Sequence, residues 1–148
     1  MSSSVESAIA IALQSTTIAV VGLSTDPAKP SNEVASYLKA NGYRIVPVNP
    51  TADEILGEVC YKSLRELPED LKPKIEVVDV FRRAQDVPPI VDQAIELRKV
   101  YGSPKTIWMQ LGIVNEDSAR NAREAGLEVV MDRCMMVEHR RRESAPSG

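Results

Sequence analysis

Five short runs of aliphatic, largely β-branched residues recur along the chain with helical or turn-like sequence between them. They are TTIAVVGL (16–23), YRIVPVNP (43–50), KIEVVDVF (74–81), KTIWMQLG (105–112) and LEVVMD (127–132). Runs this apolar suit strands buried on both faces. Strands that alternate with helices imply a parallel α/β sheet. The intervening helices are legible from their ends. The segment 31–42 offers Ser31 as a cap, puts Val34, Ala35 and Leu38 on one face and stops at Gly42. Pro88 and Pro89 open a helix that runs to about Val100, with Ile90, Val91, Ala94, Ile95 and Leu97 as its apolar face. Asn115 caps a helix that ends at Gly126, and a last short helix covers 134–142. An extra helix, 5–14, precedes the first strand, and 51–71 is turn-rich with one short helix near Leu64. Pro47 lies inside the second run, which argues for a place near the sheet edge.

Composition bounds the function. With 148 residues the expectation is one domain, over about 5–142, with a frayed tail at 143–148. Eighteen basic against twenty-one acidic residues leave a net charge of −3, which excludes a strongly basic nucleic-acid binder. Two cysteines and one histidine are too few for a disulfide scaffold or a His-rich metal site. No apolar run reaches membrane-spanning length, and the N-terminus lacks a basic leader, so a cytoplasmic protein without a membrane partner is expected.

In an open parallel sheet, ligands bind beyond the carboxyl ends of the strands. That rule selects four loops. After the first strand come Gly22, Ser24, Lys29, Pro30 and Ser31, with a bare backbone, hydroxyls and a cation at a helix start. After the second come Asn49 and Pro50 in a proline-stiffened turn. After the third, Phe81 and Arg82 suit stacking and charge, or else Phe81 packs in the core and the arginines are solvated. After the fourth, Gln110 and Gly112 form a polar rim. A dinucleotide fingerprint needs G-x-G-x-x-G and an acid ending the second strand; the chain has Gly22-Leu23-Ser24-Thr25-Asp26-Pro27 and Asn49 instead. Both departures argue against NAD and leave a phosphate-bearing ligand open.

Taken together, Gly22-Leu23-Ser24, Lys29-Pro30-Ser31, Pro47-Val48-Asn49-Pro50, Ile55-Leu56-Gly57, Val80-Phe81-Arg82, Trp108-Met109-Gln110-Leu111-Gly112 and Met131-Asp132-Arg133-Cys134 resemble the small single-domain CoA-binding proteins. Their fold is similar to the N-terminal domain of the succinyl-CoA synthetase alpha subunit. The resemblance implies a Rossmann-like doubly wound parallel sheet of five strands, ordered 3-2-1-4-5, with helices on both faces. It implies coenzyme A or an acyl-CoA as ligand. Gly22, Ser24 and Lys29, Pro30 and Ser31 would approach the phosphates, Asn49 and Pro50 the adenosine, Phe81 and Arg82 the middle, and Gln110 and Gly112 the pantetheine arm. The synthetase's phosphohistidine chemistry sits on a second domain, and His139 does not match that site. The expectation is therefore a binding protein without self-sufficient catalytic machinery. An enzyme subunit completed by a partner and an atypical nucleotide binder are the alternatives, and a homo-oligomer or protein partner stays open. His139 reads as part of a solvated, basic helix end. Cys134 reads as a small buried hydrophobe or, less favoured, as a partner for the CoA thiol.

Overall fold

In a computed structural model, residues 4–144 are described. In chain order the elements are α1 (Val5–Leu13), β1 (Thr17–Val21), α2 (Pro30–Ala40), β2 (Arg44–Val48), β3 (Glu54–Ile55), β4 (Glu58–Val59), β5 (Val77–Val80), α3 (Val87–Tyr101), β6 (Thr106–Met109), α4 (Glu116–Glu124), β7 (Glu128–Val130) and α5 (Met135–Glu143). Three single turns of 3-10 helix, at Leu64–Glu66, Lys72–Lys74 and Ala84–Asp86, link β4 to α3 around β5. Every residue of β1, β5 and β6 is buried, as strands covered on both faces must be.

The main sheet is parallel, with order β2-β1-β5-β6-β7. Numbered by its own strands the order is 2-1-3-4-5, so the expected 3-2-1-4-5 is corrected. The third strand, β5, pairs with β1 from Ile18↔Val77 to Val21↔Val80 and leaves β2 at the edge. The reason lies in Pro47. Its carbonyl accepts the amide of Tyr61 on the outer side of β2, and the next outward-facing amide, that of Asn49, donates to the carbonyl of Tyr61. Residue 47 thus faces outward with no amide to give, which an edge tolerates and an interior strand does not. The arrangement is still doubly wound, with its switch point between β1 and β5.

The helices divide between the faces. Ala8, Ile9 and Ala12 of α1, Val34, Ala35 and Leu38 of α2, and Met135 and Met136 of α5 pack on Ile18, Val20, Val77, Trp108 and Val130. Val87, Val91, Ala94 and Leu97 of α3, with Ala119 and Ala122 of α4, cover Ala19, Val21, Val78, Val80, Ile107 and Met109 on the other face. At about 25 cal/mol per Å² of apolar area, such two-sided burial is the main stabilising contribution.

Two local expectations change. Ser31 is not the cap of α2: Lys29 holds that position without a side-chain bond, and the Ser31 hydroxyl accepts the Ser24 amide instead. α5 runs through Glu143 with Ser144 after it, and residues 145–148 of the expected tail lie outside the described residues. No helix among the described residues is long and apolar enough to cross a membrane.

Candidate functional site

The strand ends meet at Gly22, whose φ of +88° only a residue without a side chain adopts easily. A Cβ there would lie 2.2 Å from the carbonyl oxygen of Phe81, so the chain after β1 touches the chain after β5. The loop that follows is bonded to itself. The Ser24 amide donates to the Ser31 hydroxyl at 2.9 Å, and Asn32 Nδ2 donates to the Ser24 carbonyl at 2.9 Å. The Asp26 amide donates to the Ser24 hydroxyl, and the Ala28 amide to the Asp26 carboxylate.

Beyond the strand ends lies a cavity of about 600 Å³. Eight of the eleven residues selected from the sequence line it: Gly22, Ser24, Lys29, Pro30, Ser31, Phe81, Arg82 and Gln110. α2 opens on it with its N-terminus, where the helix dipole favours an anion. Lys29 and Arg82 form no ion pair among the described residues, whereas Arg83 engages Asp86 at 3.1 Å. Among the described residues, no acidic side chain lines this cavity.

Three selected residues lie elsewhere. Pro50 lines a neighbouring cavity of about 240 Å³, which shares Arg82 with the first. Asn49 spends its side chain as a brace, with Nδ2 donating to the Leu23 carbonyl at 2.8 Å and Oδ1 accepting from the amide and hydroxyl of Thr51. Gly112 donates its amide to the Asp132 carboxylate at 2.7 Å, latching the loop after β6 to the end of β7.

Val34, Arg83, Leu111 and Ile113 also line the first cavity and are not among the residues selected from the sequence, and Cys134, weighed as a partner for the CoA thiol, lines it too. Leu111 is 70% exposed on its rim, and an apolar residue left in a strand-end loop was the available signal. Cys134 stands at the N-cap of α5, half-buried, and the buried Gln110 holds that helix start by accepting the Met135 amide on Oε1 at 3.1 Å. Phe81 is half-buried and does both things weighed for it, packing on the α2 face and lining the cavity. Along the strand order the cavity is therefore two-ended: the loop after β1 brings Lys29 and the N-terminus of α2, the loop after β5 brings Arg82, and the segments after β6 and β7 bring Leu111, Ile113 and Cys134, the N-cap of α5.

His139 departs from expectation. Its side chain is only 12% exposed, and Nδ1 lies 2.7 Å from the Tyr37 hydroxyl, so it joins α5 to α2. Asp79 was also missed. It lies in the middle of β5 on the face it shares with Val77, one strand repeat below Phe81, and is wholly buried with neither carboxyl oxygen bonded. Burial holds its pKa well above the usual carboxylate range. An acid inside VVDVF was the signal. No group of three or more His, Cys, Asp or Glu among the described residues is placed to hold a metal.

Strand-end loops converging on such a cleft define a ligand-binding module of the open α/β class. Comparison with known proteins specifies the module. The sequence profile of the CoA binding domain matches residues 16–140, and the chain belongs to that family. It is 38% identical over 122 residues to YneT, an uncharacterised protein of Bacillus subtilis, covering 82% of this chain and 84% of that one. A hypothetical protein from Pyrococcus horikoshii has a similar structure, with a TM-score of 0.82 at 38% identity, covering 94% of this chain and 92% of that one. An ADP-forming acetate–CoA ligase of Archaeoglobus fulgidus is 40% identical over 63 residues, which are 41% of this chain and 9% of the ligase.

Proposed function

We propose that this protein binds coenzyme A or an acyl-CoA across the ends of β1, β5 and β6, as a binding module rather than a self-sufficient enzyme. The observation that carries this reading is the two-ended cavity. A ligand with phosphates at one end and an uncharged, thiol-bearing arm at the other is complementary to it. Gly22, Ser24, Lys29, Pro30 and Ser31 would meet the phosphates. Phe81 and Arg82 would border the middle, and Gln110, Leu111, Ile113 and Cys134 the arm. Asn49 and Gly112 would act indirectly, by holding the loops. Membership of the CoA-binding family supports the same ligand. The ligase that aligns with this chain over 63 residues is far longer, so its name says little about what this chain does.

Thermal unfolding with CoA, acetyl-CoA and NAD tests the reading. A ligand at 100 times its Kd stabilises by about 2.7 kcal/mol. For a chain of this size that raises Tm by roughly 5–10 °C. CoA or acetyl-CoA is expected to raise Tm and NAD to leave it unchanged. A shift with NAD alone would contradict the reading.

A further inference from the structure

The smaller cavity is lined by Pro50, which the sequence resemblance gives to the adenosine. It lies on the α3 side of the strand ends, next to the end of β2, and opens to the larger cavity past Arg82, whose side chain walls both. Its floor is apolar, with Leu64 buried and Ile90 partly buried, and Gln93 adds an amide. Lys62 and Ser63 come from the strap between β4 and the first 3-10 turn. Lys62 and Arg82 have no carboxylate partner among the described residues. The Ser63 hydroxyl makes no capping bond to the turn it precedes. The acid that lines the cavity, Asp86, is engaged by Arg83. Two uncommitted cations and a free hydroxyl above an apolar floor with one amide suit a phosphorylated nucleoside, the base over the floor and the phosphate at the cations.

We infer that the smaller cavity receives a phosphomonoester on the nucleoside end of the ligand, and that Lys62 reads it. The inference rests on the CoA reading, since CoA carries a phosphomonoester on its ribose in addition to its diphosphate. The two phosphate groups differ in charge: a phosphomonoester is largely dianionic above a second pKa of about 6. The N-terminus of α2 and Lys29 serve the diphosphate in the larger cavity. A second site with its own cation, Lys62, reached past the shared Arg82, then separates CoA from a ligand that lacks only the terminal phosphate.

The experiment is calorimetric titration of the reduced protein with CoA and with dephospho-CoA at mildly alkaline pH, for wild type, Lys62→Met and Lys29→Met. Lys62 is exposed, so its replacement does not disturb the core. Wild type is expected to prefer CoA by about tenfold or more, the size of one charge-assisted contact. Lys62→Met should bring that ratio close to one. Lys29→Met should weaken both ligands and keep the ratio. Equal affinity of wild type for the two ligands overturns the inference while leaving the CoA reading intact. So does a preference that survives Lys62→Met or disappears in Lys29→Met. If neither ligand binds, the CoA reading falls and the inference falls with it.

Discussion

Asp79 sits where a carboxyl group is least at home, in the middle of a central strand between Val20 on β1 and Trp108 on β6. Thr106, diagonal to it on the same face, also has an unbonded buried hydroxyl. A group whose folded pKa is raised binds its proton more tightly in the folded state. The stability it contributes is present below its unfolded pKa of about 4 and is lost as pH rises above that value. Asp79→Asn keeps the shape and removes the titration. In urea unfolding, the stability difference between variant and wild type should therefore move in the variant's favour from pH 4 upward. A difference that stays constant with pH would contradict a neutral Asp79. The sequence showed an acid inside an apolar run but gave no partner for it, because burial depends on the two neighbouring strands.

Among the elements, α2 and α5 form a pair. Both begin at the larger cavity, and further along they are joined by Tyr37 and His139, with Tyr43 edge-on to the same imidazole at 5.7 Å and Arg140 4.8 Å above the Tyr37 ring. Tyr37→Phe removes the hydroxyl and keeps the ring. It should lower stability by about 1 kcal/mol, seen as a lower urea midpoint with an unchanged slope. An unchanged midpoint would mean that the bond contributes nothing net. The strands were legible because their apolar runs are continuous, and the helices because Asn115, Gly42 and the Pro88-Pro89 pair mark their ends. The β3–β4 hairpin was not. Its strands have two residues each, and its turn places Leu56 as well as Gly57 at positive φ, at 56° and 75°, a two-residue geometry that favours Asn-Gly over Leu-Gly. His139 was misread as solvated because a basic helix end carries no mark of the neighbour that covers it.

The whole molecule has a net charge of −3, yet the larger cavity carries cations and no acid. On the CoA reading, an anionic ligand would be held by local charge against a weakly repelling whole. Its affinity should fall as salt screens those contacts, and Arg82→Met should flatten that dependence. An affinity indifferent to salt would place the binding energy in the apolar arm. Strand order is the property of the whole that sequence resemblance misplaced. Pro47 already pointed to the edge, but which strand replaces β2 beside β1 depends on how 51–76 crosses the sheet, and that segment has little regular pattern. Eight of eleven selected residues reach the larger cavity because the strand-end rule is topological. It could not separate the residues that line the cavity from those, such as Asn49 and Gly112, that hold the loops.

The loop after β1 has one more consequence. Ser24, Asp26, Ser31 and Asn32 bond to one another, and Asn49 ties Leu23 to the next loop. The segment that opens on the larger cavity is therefore ordered before any ligand arrives. Association then carries little of the entropy loss that accompanies loop ordering. A rigid mouth of this kind selects by shape on arrival, and ligands that fit it differ mainly in how long they stay.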